Sequence, residues 1–146
     1  KFHLNGEWPE QEELSKAENV ALVREFVQAQ AGNPEMQEFI APLAALGEEV
    51  HKLSTEIAIK AASNPDEVGA ASVPYLRVVG HLVYAWLWAR MARVALDKLG
   101  SGDDFYKAKL ATARFYFSKL LPETAWQLQA ARAGAGSLME LEAGLF

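Results

Sequence analysis

The sequence predicts an all-α fold, an antiparallel up-and-down four-helix bundle with kinked second and fourth helices and an apolar C-terminal tail. Three observations carry that expectation. Met36, Phe39, Leu43, Leu46, Val50, Leu53 and Ile57 form an unbroken heptad seam, spaced alternately by three and four residues. The stretch Pro74–Leu99 is apolar on two sides, as befits a helix buried on two sides. No segment alternates with the two-residue period of a strand.

The elements follow in order. Residues 1–9 read as a linker, with Asn5-Gly6 as a turn and Pro9 as a break. A first helix is expected from about Pro9 or Glu10 to Ala31. Its early turns carry Glu10, Glu12 and Glu13, which suit the positive end of the helix dipole. Leu14, Val20, Val23, Phe26 and Val27 give it one apolar stripe, and Gly32-Asn33-Pro34 ends it. The second helix bears the seam, with Asn33 as N-cap and Pro34 at the first helical position. Pro42 either kinks it or separates a short lead helix. The seam keeps its phase through Pro42, which favours the kink. Ser63-Asn64-Pro65 stops it near Ala62, and residues 63–73 read as a small, turn-rich connector.

The central helix is expected at Pro74–Leu99, with Ser72 as its cap and Gly100-Ser101-Gly102 closing it. Asp103 or Ser101 caps the fourth helix, which Pro122 either kinks or divides, and Gly134-Ala135-Gly136 ends it. The tail SLMELEAGLF is apolar enough to dock somewhere.

Composition narrows the function. The chain of 146 residues fits one helical domain, residues 1–146, and has no cysteine, which excludes disulfides and thiolate metal sites. Its net charge of −5 argues against general nucleic-acid binding. Residues 1–70 carry 5 Lys/Arg and 13 Asp/Glu, and residues 71–146 carry 9 and 6, so an acidic half is expected to face a basic half. Arg114, Lys107 and Lys109 are the residues on which a nucleic-acid reading would rest. No signal peptide is visible in KFHLNGEWPE, and Val78–Ala89 is too short to span a bilayer. Without an initiator Met and with a linker-like start, the chain is expected to be a C-terminal piece of a longer protein.

Few residues suggest chemistry. Glu48 and His51 have the Glu-x-x-His spacing of di-iron bundles, but neither His3 nor His81 supplies the second such pair, so no metal site is expected. His81, one turn after Arg77, reads as a hydrogen-bonded core or edge residue, with no nucleophile near it in sequence. Arg90 shares the register of Leu76, Val79, Val83 and Trp86, so it is expected to point inward and pair with a glutamate of the first two helices. Phe115, Tyr116, Phe117, Trp86, Trp88 and Trp126 read as core rather than as a pocket for a flat ligand. Gly134-Ala135-Gly136 lacks the preceding strand and the lysine of a phosphate loop. No catalytic residue and no cofactor-binding residue is assigned. Single stripes on the other helices do not suffice to cover both flanks of the central helix. Exposure of Trp88, Met91 or Tyr84 would therefore mark a contact surface.

The phrase DFYKAKLATARFYFSKLLP at 104–122, AGAGSLM at 133–139, Pro74-Tyr-Leu through Gly80 to Trp88-Ala-Arg-Met-Ala, and the opening KFHLNG together carry a family resemblance. They resemble the acetyl-CoA dehydrogenase C-terminal-like domain of bacterial acyl-CoA dehydrogenases, of the 3-methylmercaptopropionyl-CoA dehydrogenase type. That resemblance implies a cytoplasmic parent enzyme that oxidises acyl-CoA to 2-enoyl-CoA with FAD, its catalytic glutamate lying before residue 1. It implies that this domain binds no cofactor by itself and packs against the catalytic domains and a neighbouring subunit, with no nucleic acid and no membrane span. The rival expectation is a stand-alone helical protein-interaction module.

Overall fold

A computed structural model describes residues 16–141 and 143–145 of the chain. All regular structure among them is helical.

Helix α1 spans Lys16–Gln30. Val23 is buried, and Phe26 and Val27 pack beside it, as the single stripe predicts. Its expected start and Leu14 lie outside the described residues. One 3₁₀ turn, Pro34–Met36, then leads into the second helix. Asn33 caps that turn, its side chain accepting the Glu35 N–H at 3.2 Å. Helix α2, Gln37–Ser63, runs on through Pro42, which supplies no N–H to the preceding turn yet does not end the helix. Its seam is the heart of the core: Met36, Phe39, Leu43 and Leu53 are fully enclosed, and Leu46 and Val50 nearly so.

Helix α3 is Asp66–Lys98, so the expected connector at 63–73 is mostly helix. The signals that suggested a loop act as a helix start. Asn64 Oδ1 accepts the Asp66 N–H at 3.2 Å, Pro65 sits just ahead, and Asp66 and Glu67 occupy the first turn. Ser72 is no cap; its hydroxyl donates to the Gly69 carbonyl at 2.8 Å inside the helix. Burial of Ala71 offsets the weak propensity of Gly69 and Pro74. At 33 residues, α3 is about 50 Å long.

Gly102, in the left-handed region at φ 79°, turns the chain out of α3. Asp103 caps helix α4, Asp104–Phe115, accepting the Phe105 N–H at 2.8 Å. The helix then widens into a π turn, Tyr116–Leu120, where the Leu121 N–H reaches the Tyr116 carbonyl at 2.9 Å. Helix α5 follows as Glu123–Arg132. The expected fourth helix is thus divided near Pro122. Gly134, again at φ 79°, ends α5, and a single short turn, α6, covers Gly136–Met139.

Helix α3 is the hub, packing on α2, α4 and α5, while α1 lies mainly on α2. Its buried face is largely alanine: Ala71, Val78, Leu82, Ala85, Ala89, Ala92 and Ala95. Small side chains on the central helix let three neighbours approach closely, and those neighbours supply the bulk. Ala135 is held at the start of α3 by the Glu67 carboxylate (3.2 Å), and beyond it Leu138, Met139 and Leu145 are exposed on this chain.

Candidate functional site

Polar side chains converge where α3 meets the π turn and α5. His81, one turn beyond Arg77 on α3, lies with Nδ1 2.9 Å from the Tyr116 hydroxyl, which also donates to the His81 carbonyl at 3.2 Å. Its Nε2 is 3.6 Å from a Glu123 carboxylate oxygen. The other oxygen of Glu123 accepts from Gln127 at 2.9 Å and from Arg77 at 3.2 Å. Gln127 is 2% exposed, so Glu123 is its buried amide's partner. Arg77, Gly80, His81, Tyr84 and Glu123 line a shallow hollow of about 200 Å³ above this network.

The electrostatics are those of a clamp. The hydrogen bond from Gln127, then Arg77 and His81, hold the Glu123 carboxyl below the ordinary carboxylate range. Burial, with smaller contributions from Tyr84 and Glu123, pushes the Tyr116 phenol up to about 12. At neutral pH that phenol is a proton donor, neither base nor nucleophile. The π turn, which places Tyr116 beside His81, is what sequence spacing could not reveal. The His81 partners lie 35 and 42 positions away in the chain.

A larger hollow of about 550 Å³ opens between α1, α3 and α4. Leu87, Met91 and Val94 of α3 floor it, with Phe26 of α1 and Phe105 and Tyr106 of α4 as its walls. Arg90, Arg93 and Lys109 also line it, and among the described residues no carboxylate does. Arg90 corrects the expectation of an inward ion pair. It is exposed, its guanidinium stacked 4.9 Å over the Trp86 ring, and among the described residues it meets no carboxylate. The inward register runs through Val78, Leu82, Ala85 and Ala89 instead, and Leu76 is 71% exposed.

The remaining candidates disperse. Glu48 and His51 are both exposed on α2, and among the described residues no cluster of three His, Asp or Glu gathers to hold a metal ion. Tyr116 is buried, with Trp88 stacked on it at 6.3 Å, and Phe117 meets Phe39 edge-on at 5.2 Å. Phe115 and Trp126 depart from the core reading, since both are more than half exposed. Tyr84 and Met91 are exposed, whereas Trp88 is half-buried. Lys107 pairs with Asp104 at 2.8 Å, and Arg114 grips Glu38 through Nε and Nη2 at 2.8–3.0 Å. Arg132 bridges Glu56 (2.8 Å) and Glu49 (2.9 Å), so cations of the basic half meet carboxylates of the acidic half.

The sequence pattern described as "Acetyl-CoA dehydrogenase C-terminal like" matches residues 19–142. The chain belongs to that family. It is also 30% identical over 135 residues to the broad-specificity linear acyl-CoA dehydrogenase FadE5 of Mycobacterium tuberculosis. That match takes in 85% of this chain and 22% of the mycobacterial enzyme, so the chain spans about a fifth of its relative's length. The flavin that the family resemblance implies for a parent enzyme finds no cradle among the described residues. At the Gly134-Ala135-Gly136 turn, a Cβ on Gly134 would lie 2.9 Å from the Glu67 carboxylate, an anion where a pyrophosphate needs donors. Among the described residues, no helix is long and apolar enough to cross a membrane.

Proposed function

We propose that this chain is the non-catalytic C-terminal domain of an FAD-dependent acyl-CoA dehydrogenase, and that it serves structure and assembly. The observation that carries the reading is the family match over residues 19–142, joined to a relative nearly five times as long as the aligned stretch. FAD, acyl-CoA and the proton-abstracting carboxylate belong, on this reading, to other parts of the parent chain. The domain packs against those catalytic parts and a neighbouring subunit. The polar groups favour the same view, since His81, Tyr116, Glu123 and Arg77 are spent on one another as a helix clamp.

The up-and-down four-helix arrangement belongs to this proposal. It is supported by the short α2–α3 link and by ties such as Ser54 to Tyr75 at 2.8 Å and Arg132 to Glu56, with α4, the π turn and α5 counted as one bent rod. A cytoplasmic setting is proposed on the family's account.

Purification of the 146-residue chain, followed by flavin absorbance and acyl-CoA oxidation with an artificial electron acceptor, tests the reading. Neither bound flavin nor turnover is expected. Stoichiometric FAD or measurable oxidation would overturn it.

A further inference from the structure

We infer that the outward face of α3, together with the groove between α1, α3 and α4, docks an acidic amphipathic helix from the catalytic part of the parent chain; this rests on the function proposed above. Val73, Leu76, Tyr84, Leu87, Met91 and Val94 fall within about 80° of arc on one helix face. All six are exposed, and the stripe lies nearly opposite the alanine-rich face that the bundle buries. A contiguous apolar band of this length on a surface marks an interaction site.

The surroundings define the occupant. Toward its C-terminal half the stripe becomes the floor of the 550 Å³ groove, whose charged lining residues are Arg90, Arg93 and Lys109. Arg90 and Lys109 rest on the rings of Trp86 and Phe105 and meet no carboxylate among the described residues. Among the described residues Arg93 has only Asp97, at 3.5 Å. A partner that buries the apolar floor must therefore bring carboxylates to the rim, or it strips water from cations left unpaired. Two copies joined face to face through the groove would set the same three cations against their images, which argues against a second copy. The walls are helices whose backbone groups are internally bonded, so the groove offers no edge for an added strand, and the fitting shape is a helix laid along α3.

The absence of cysteine from this chain supplies the test. In the full-length parent enzyme, Met91→Cys is compared with Glu48→Cys, an exposed position on α2, by maleimide labelling read by mass spectrometry of the peptides. Alkylation at position 91 should be slower by about tenfold or more. A benzophenone-maleimide at position 91 should photo-crosslink to residues upstream of Lys1. Arg90→Glu with Arg93→Glu should abolish most of the protection. Equal labelling rates, crosslinking to a second copy of α3, or protection indifferent to the charge reversal would each overturn the inference. Leu87→Cys repeats the measurement one turn away should position 91 disturb folding. Turnover by the isolated chain would remove the proposed function, whereas free labelling at position 91 in the intact enzyme would remove only this docking face.

Discussion

Replacing Tyr116 by Phe separates what its hydroxyl contributes from what its ring contributes. The ring is 5% exposed and keeps its contact with Trp88, so no cavity forms. The loss is the hydrogen bonding to His81 at 2.9 and 3.2 Å, worth about 1 kcal/mol. Near pH 8 the variant should therefore be less stable by about that amount. At high pH the order reverses. The folded phenol titrates at about 12 against 10.0 unperturbed, so the folded state holds this proton more tightly than the unfolded chain. The associated stability is fully present below pH 10 and is lost as the pH climbs toward 12. At about pH 11 the wild type has lost roughly 1.4 kcal/mol through this titration, a loss the phenylalanine variant does not undergo. The two stability curves should meet near there. Urea denaturation of both chains between pH 8 and 11.5 measures this, with lysine deprotonation common to both. Parallel curves, or a tyrosinate absorbance step of the Tyr116 hydroxyl at its ordinary value, would refute the placement of that phenol in the helix clamp.

Three further outcomes follow from single contacts. Phe39→Ala empties a fully enclosed site and removes the edge contact with Phe117, so thermal denaturation should show a loss of about 3–5 kcal/mol. Gly134→Ala forces a side chain onto a backbone at φ 79° and toward the Glu67 carboxylate, so denaturant unfolding should register a loss of about 1–2 kcal/mol; an unchanged midpoint would contradict the turn geometry. Hydrogen bonds from Arg132 and then Lys52 hold the Glu49 carboxyl below its ordinary value. Its contribution is therefore present above the unfolded pKa and lost as pH falls through the folded one, and Arg132→Gln should flatten the acid limb of the stability profile below pH ~4.5.

The residues that were easiest to read were those whose size announces their burial. The α2 seam is a row of large apolar side chains at heptad spacing, and its members from Met36 to Leu53 are buried while Ile57 at its end is half-buried. The face of α3 was harder, because alanine carries little hydrophobic signal. Its larger residues, Leu76 and Tyr84 among them, drew attention to the face that points away from the core. The start of α3 was hidden for a related reason. Gly69 and Pro74 have poor helix propensity, and only tertiary packing at Ala71 and the Glu67 contact with Ala135 make the helix affordable there. The His81 clamp depends on a π turn that brings Tyr116 round, and no spacing rule encodes that widening. The surplus apolar surface of the central helix, by contrast, was legible as a deficit: single-striped neighbours cannot cover a helix that is apolar on two sides.

That deficit bears on how the domain functions in a longer chain. Covering a half-exposed Leu, Val, Met or Tyr gains roughly 1 kcal/mol, so the six side chains of the α3 stripe amount to several kcal/mol. For two free molecules, the loss of translational and rotational freedom consumes an amount of that order, and the contact would be weak. For a domain joined to its partner by a short peptide, most of that loss has already been incurred, and millimolar effective concentrations suffice to hold the face closed. A stripe of this strength therefore suits a tethered contact better than a free one. The isolated chain should accordingly remain monomeric at concentrations where the intact enzyme keeps the α3 face covered. Sedimentation velocity on the isolated chain decides this, and a tight dimer at micromolar concentration would show the face to be strong enough for self-association.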